Sequence, residues 1–217
     1  MIYKFFDIDT LNEELTAKYF PLLSETRRNL IAALPSAYDR SVAFCSEILA
    51  RQCLNEMFHS PEFSFKLLLA PNGKSAVGNF DAQISLAEYE GYLGCAVSKK
   101  SVGIALCPAE NTSFNDLQKL LTDKELRDAL SFSRYSFTEI MKKQTVDERE
   151  VCACAAVFLA LKQSYFRAKG KVLNNNNMSV EFIIRENSIE CSDKSINCVN
   201  AGFTHNNKLA YAITEVE

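Results

Sequence analysis

The sequence predicts an α+β protein made of two similar halves. Strand-like segments and helical patterns occur in both halves of the 217-residue chain, and each half contains one helix much longer than its neighbours. An apolar content of 47% is enough for one large domain or for two domains of about 100 residues each. We therefore expect an N-terminal α+β half at residues 1–100 and a C-terminal α+β half at residues 101–217, joined near residues 101–115.

The N-terminal half is expected to begin with a strand and to continue with three helices. Residues 2–8 are rich in β-prone side chains, and apolar residues then recur at helical spacing over residues 11–19. A second helix is predicted from Ser24 to a stop near Pro35. A third helix runs from a predicted N-cap at Asp39 to about Met57.

Strands follow this third helix. Residues 63–69 read as a strand, and residues 71–74 predict a tight turn because Asn and Gly accept a positive φ at low cost. The apolar segments 91–97 and 102–106 are separated by a short polar stretch, Ser98-Lys-Lys-Ser101, which predicts a β-hairpin.

The C-terminal half is dominated by a helix at residues 147–169, whose middle is apolar on every side and is therefore expected to be buried. The asparagines at 174–177 follow its end and predict a turn. The remaining predicted elements are helices at 114–130 and 138–143 and strands at 179–185, 189–191 and 209–216.

Composition narrows the classes of function. The net charge of −3 argues against a general nucleic-acid or membrane-surface binder, and no apolar run reaches the roughly 18 residues of a membrane span. The eight cysteines include no C-x-x-C pair, and the first residues lack the apolar core of a secretory signal. We expect a cytoplasmic monomer whose cysteines are reduced and act as small core residues.

Residues 158–171 form the most informative segment, an apolar helix that runs into a basic end closed by Gly170. This segment resembles the helix W-x-x-K-E-[SA]-x-x-K-x-x-G-x-G of the surfactin-synthetase-activating (Sfp) type of 4′-phosphopantetheinyl transferase. In that family the helix supplies a metal-binding Glu and substrate-binding Lys residues. The residue at the Glu position of this chain is Gln163.

Other segments resemble the same family in the same order. The family helix D-x-R-x-L-x-x-x-x-L-x-R is similar to Asp39-Arg40-Ser41 with Leu49-Ala-Arg51, and its Y-G-K-P turn is similar to Asn72-Gly-Lys74. Part of its N-[IV]-S-H-S element is similar to Gln83-Ile-Ser85. The start of its V-G-I-D-I-E strand is similar to Val102-Gly-Ile104, and its helix F-x-x-x-E is similar to residues 119–125. Each fragment is short, and their common order and spacing along nearly the whole chain make the resemblance specific.

The resemblance implies two pseudo-symmetric α/β subdomains of the phosphopantetheinyl transferase type, with coenzyme A in the cleft between them. It assigns coenzyme A contacts to Arg40, Lys74, Ser85, Lys162 and Arg167, with Arg40 on the 3′-phosphate. It also gives Lys162 a catalytic role beside Gln163, the residue that replaces the family Glu.

The chain departs from the family at the acidic positions. The three metal-binding positions are Ala105, Cys107 and Gln163, so the carboxylates of the family's magnesium site are missing and that site is degenerate. Magnesium prefers hard anionic oxygen, which these side chains do not offer. Glu110 and Glu125 are alternative, displaced carboxylates.

Three hypotheses follow. The first is a divergent transferase that moves 4′-phosphopantetheine from coenzyme A to a serine of an acyl or peptidyl carrier protein. The second is a non-catalytic relative that binds coenzyme A or a carrier protein and serves regulation or assembly. The third treats the fold as inherited and the site as inactive, which leaves a structural or interaction protein with no affinity for nucleotides.

Overall fold

The computed structural model describes residues 1–60, 64–69, 75–109, 118–132, 148–173, 180–185, 188–206 and 208–217. It contains both helices and sheets, so the predicted α+β class is confirmed. The chain divides into two compact units, Met1–Lys100 and Ser101–Glu217. The turn predicted at 71–74, the helix predicted at 138–143 and the asparagines at 174–177 lie outside the described residues.

Unit 1 is a five-stranded antiparallel sheet with helices packed against it. The strands follow the order β1-β5-β4-β3-β2. Their bounds are Ile2–Asp7 for β1, Leu67–Leu69 for β2, Ser75–Val77 for β3, Gln83–Tyr89 for β4 and Tyr92–Ser98 for β5. The helices are α1 (Glu13–Tyr19), α2 (Glu25–Ala32) and α3 (Ala37–Phe58), with 3-10 turns at Ile8–Thr10 and Phe20–Leu22.

Helix α3 is the core element of unit 1, and it packs against β1 and β5. Its Cys53 and Leu54 side chains are fully buried. The helix also buries a charged cluster, in which Glu47 accepts hydrogen bonds from Arg51 at 2.6 Å and from Arg27 of α2 at 2.8 Å. Because both arginines satisfy one buried carboxylate, the cluster ties α2 to α3.

Unit 2 contains a three-stranded antiparallel sheet, in the order β6-β10-β9, and a separate two-stranded sheet of β7 and β8. The strands are β6 (Ser101–Pro108), β7 (Phe182–Ile184), β8 (Ile189–Cys191), β9 (Ile196–Thr204) and β10 (Leu209–Val216). The helices of its described part include α4 (Asp123–Phe132) and α5 (Glu148–Ala168).

Helix α5 lies unusually close to β6, and Gly103 permits this approach. A Cβ atom at position 103 would overlap the backbone oxygen of Ser164 and would lie 2.6 Å from the backbone nitrogen of Ala168. Two hydrogen bonds fix the same contact: Ser101 Oγ donates to the Ala168 carbonyl at 2.5 Å, and Arg167 Nη1 donates to the Ile104 carbonyl at 2.6 Å. The start of β6 and the end of α5 therefore form one tightly packed region.

Among the described residues, one helical window, Val151–Ala168, has the length and hydropathy of a membrane span. Its residues are 78% buried within the fold, and they form the centre of the unit 2 core. This burial is what the core helix of a globular domain shows.

Two local predictions were wrong. The strands predicted at 91–97 and 102–106 do not form a hairpin, because β5 pairs with β4 and β1 while β6 pairs with β10. The hairpin is β4–β5, whose turn places Glu90 and Gly91 at positive φ. The polar stretch around Lys100 instead connects the two units.

The second error concerns the start of α3. Its N-cap is Ser36, whose hydroxyl accepts the Asp39 backbone N–H at 2.9 Å. Asp39 lies in the first turn, where its carboxylate accepts a hydrogen bond from the Ser36 hydroxyl. Strand β9 was not predicted, and the segment of β3 and β4 was expected only as a hairpin-like excursion after residue 74.

Candidate functional site

The residues at the family's metal positions meet at the packed surface between β6 and α5. Ala105 and Cys107 are two residues apart on β6, so their side chains lie on the same face of the strand. That face belongs to the apolar core formed with α5. Cys107 Sγ lies 3.6 Å from Gln163 Oε1 on α5, in hydrogen-bonding geometry. The three positions are thus brought to one region of unit 2.

The chemistry of this group does not suit magnesium. Ala105 has no donor atom, and Gln163 offers one neutral oxygen that already accepts the thiol hydrogen bond. Burial raises the pKa of the Cys107 thiol to about 12, and the nearby Arg167 only partly offsets this effect. The thiol therefore stays protonated at neutral pH and supplies no anionic ligand. No group of three or more metal-ligating side chains occurs in the described segments.

Lys162 is fully buried and forms an ion pair with Glu125 of α4 at 2.7 Å. The same carboxylate accepts the backbone N–H groups of Thr122, at 2.9 Å, and of Phe182, at 3.1 Å. Thr122 in turn accepts the Glu125 N–H, which completes a capping box at the start of α4. Lys162 therefore joins α5 to α4 from inside the core, and its ammonium group is not exposed to a ligand in solution.

The same ion pair makes Glu125 a poor candidate for a displaced metal ligand. Its two oxygens are occupied by Lys162 and by three hydrogen bonds within unit 2. The other displaced carboxylate considered, Glu110, lies outside the described residues.

The basic end of α5 is held in place by specific contacts. Arg167 keeps part of its surface exposed while its guanidinium binds the Ile104 carbonyl. Lys169 donates to Ser195 Oγ at 2.6 Å and pairs with Asp193 at 3.4 Å. Gly170 then ends the helix at a φ of 70°, and the Lys171 N–H bonds back to Phe166.

The other predicted coenzyme A contacts lie in unit 1. Arg40 is in the first turn of α3, where its Nη1 donates to the carbonyl of Leu34 at 2.8 Å and, more weakly, to that of Pro35 at 3.4 Å. Ser85 is half-buried on β4 and pairs in register with Ala96. Lys74 lies outside the described residues, and the predicted cleft between the halves stays a prediction.

Sequence reasoning missed a polar cluster beside the end of α5. Tyr165 donates to Asp193 Oδ2 at 2.5 Å, and Asp193 Oδ1 accepts the Ser195 backbone N–H at 2.8 Å. The Tyr165 hydrogen bond is the largest cause that lowers the pKa of Asp193 below its usual range. No sequence signal links Tyr165 and Asp193, because their contact depends on how β8 and β9 return to α5.

No protein-family model matches the chain, and no curated protein matches it significantly.

Proposed function

We propose that this chain is a divergent relative of the Sfp-type phosphopantetheinyl transferases that binds coenzyme A or a carrier protein. The observation that carries the proposal is the contact of Cys107 with Gln163. These residues lie 56 positions apart, and each was matched separately to a family metal position. Chance similarity of short segments gives no reason for two such positions to meet.

A second pair of matched segments also meets. Glu125 belongs to the segment that is similar to F-x-x-x-E, and Lys162 belongs to the C-terminal helix motif. They form the fully buried ion pair of unit 2. Gly103, from a third matched segment, is the residue that permits close packing of α5 on β6.

We further propose that the two units are structural repeats. In each unit the last strand lies between the first strand and the strand that precedes it in the chain, and both pairings are antiparallel. In unit 1, β5 lies between β1 and β4, and in unit 2, β10 lies between β6 and β9. In each unit the long helix packs on the first and last strands, α3 on β1 and β5 and α5 on β6 and β10. This shared order supports the two-subdomain architecture that the resemblance implies.

The donor set favours the non-catalytic form of the proposal over an active transferase. In phosphoryl transfer a magnesium ion offsets the charge that develops on the phosphate oxygens. The positions occupied by Ala105, Cys107 and Gln163 supply no carboxylate for such an ion. The buried Lys162 cannot reach a phosphate without breaking its pair with Glu125.

The direct test is calorimetric titration of the full chain with coenzyme A, with and without magnesium. We expect binding that magnesium leaves unchanged, since retained basic residues can contact phosphates while the metal ligands are lost. Magnesium-dependent binding would favour an active transferase. No binding at millimolar coenzyme A would reject the active transferase and the coenzyme A-binding relative, and would leave only a relative that binds a carrier protein.

Two lysine variants test whether Lys74 contacts coenzyme A. Lys74→Gln is expected to weaken coenzyme A binding about tenfold, the usual effect of losing one charge-assisted hydrogen bond. Lys99→Gln is the matched control, because Lys99 is an exposed lysine outside every matched segment. Equal affinities of the two variants would remove Lys74 from the site.

A further inference from the structure

Unit 1 contains an apolar groove whose lining includes one arginine, Arg40, that forms no ion pair with a described carboxylate. The groove has a volume of about 230 Å³ and lies between α1, α2 and the first turns of α3. Most of its lining is apolar, including Leu11, Phe20, Ile31 and Phe44. Among the described residues that line it, Arg40 is the only charged one.

The donors of this groove are only partly satisfied. Arg40 uses Nη1 for the carbonyls of Leu34 and Pro35, and the structure gives its Nε and Nη2 no partner among the described residues. No described carboxylate pairs with Arg40. Ser41, the next residue, lines the same groove, and its hydroxyl has no hydrogen bond within the described ranges. Two residues with spare hydrogen-bond donors in an apolar groove can orient an anionic ligand.

A second, smaller apolar cavity of about 40 Å³ adjoins the groove. Leu11 and Phe44 line both spaces, and the smaller one is bounded further by Phe6, Leu15 and Ile48. Shared walls place the cavity next to the groove on the side of the apolar core. The groove therefore borders a second apolar space.

We propose that this groove binds a small monoanion with an apolar tail, a medium-chain carboxylate. The carboxylate accepts hydrogen bonds from Arg40 and Ser41, and the hydrocarbon chain lies against Phe20, Ile31 and Phe44. A single guanidinium matches one negative charge, and the volume is below the range of drug-sized pockets, which selects a short chain. This inference does not rest on the proposed function.

The test is calorimetric titration of the full chain with octanoate, with 1-octanol as the uncharged probe. We expect saturable octanoate binding, weaker by about tenfold or more in Arg40→Gln. Arg28→Gln, a change of the same charge on α2 away from the groove lining, is expected to leave the affinity unchanged. Octanol that binds as tightly as octanoate, or equal effects of the two arginine variants, would overturn the proposal.

Arg40 also donates hydrogen bonds to two backbone carbonyls, so Arg40→Gln could destabilise the fold. A second variant tests the groove without removing these hydrogen bonds. Ala32→Phe fills the groove from an exposed position and removes none of these hydrogen bonds. It is expected to abolish octanoate binding while leaving the stability of the fold, measured by urea unfolding, close to that of the unmodified chain. Octanoate that still binds to Ala32→Phe would place it elsewhere and overturn the site. If the unmodified chain binds octanoate but not coenzyme A, only the coenzyme A-binding form of the proposed function is rejected.

Discussion

Gly103 shows how one residue decides whether two elements can pack. The atoms that a Cβ would meet belong to the backbone of α5, which cannot move aside as a flexible side chain can. Gly103→Ala is therefore expected to destabilise the protein by about 3 kcal/mol, in the upper range for overpacked cores. Urea unfolding monitored by circular dichroism measures the change.

The matched control is Gly202→Ala on β9. There the three atoms nearest to a Cβ would all belong to the Tyr211 side chain, the first at 3.3 Å. We expect a small effect because a side chain can shift by a few tenths of an ångström. A Gly103→Ala protein as stable as Gly202→Ala would contradict the close approach of α5 to β6.

Asp193 makes the acid stability of unit 2 sensitive to one carboxylate. Its hydrogen bonds from Tyr165 and Ser195 and its pairing with Lys169 lower its pKa below the ordinary value of 3.8. A group whose pKa is lower in the folded state stabilises the fold above the unfolded pKa, and this contribution is lost as the pH falls. Asp193→Asn should therefore cost stability near pH 7 and much less near pH 2.

Unfolding measured across this pH range tests the point, with Asp81→Asn as control. Asp81 is exposed, and no hydrogen bond or ion pair involves its side chain within the described part of the chain. A pH-independent difference between Asp193→Asn and the unmodified protein would show that the carboxylate charge is not what stabilises this cluster.

At the scale of elements, the pair of Glu125 and Lys162 joins α4 to α5. Both side chains are fully buried, so removal of either one leaves an uncompensated charge in the core. Glu125→Gln and Lys162→Met are each expected to cost about 3–5 kcal/mol. The double variant should cost less than the sum of the two, as measured by urea unfolding in a double-mutant cycle.

The exposed pair of Lys4 and Glu56 in unit 1 provides the comparison. Their nitrogen and oxygen atoms are also 2.7 Å apart, but their side chains are 37% and 50% exposed. Lys4→Met should therefore cost at most about 1 kcal/mol. Additive effects at Glu125 and Lys162 would indicate that the two residues act separately.

The local signals for most elements were correct because they depend on neighbouring residues. Apolar spacing located α1, α2, α3 and α5, and β-prone runs located β1, β8 and β10. The hairpin error arose because a polar stretch between two apolar runs has the same local appearance whether it is a hairpin turn or a link between units. The positive-φ turn at Glu90 and Gly91 contained the better signal, since Gly suits that backbone conformation.

For the whole molecule, the proposed relationship to the transferases predicts that carboxylates at positions 105, 107 and 163 would form a metal site. The variant Ala105→Asp, Cys107→Glu, Gln163→Glu places three acids on the facing surfaces of β6 and α5. Three carboxylates in a buried site repel one another unless a cation joins them. We therefore expect the variant to be less stable than the unmodified chain and to gain thermal stability on addition of magnesium.

Thermal unfolding with and without magnesium tests this prediction, and the unmodified chain serves as the control that should not respond. Circular dichroism establishes that the variant is folded before the titration. A folded variant indifferent to magnesium would mean that the three positions do not converge closely enough to share an ion.

The sequence alone determined the α+β class and the bounds of most helices, because apolar spacing and helix caps act between residues a few positions apart. It also located the segments that resemble the transferase family. The tertiary structure decided which strands pair, for example β6 with β10. Strands pair through backbone hydrogen bonds, and these depend little on which side chains the strands contain. It also decided that Cys107 meets Gln163 and that Lys162 is buried against Glu125. Such contacts depend on the packing of distant segments around a common core, which short-range patterns do not encode.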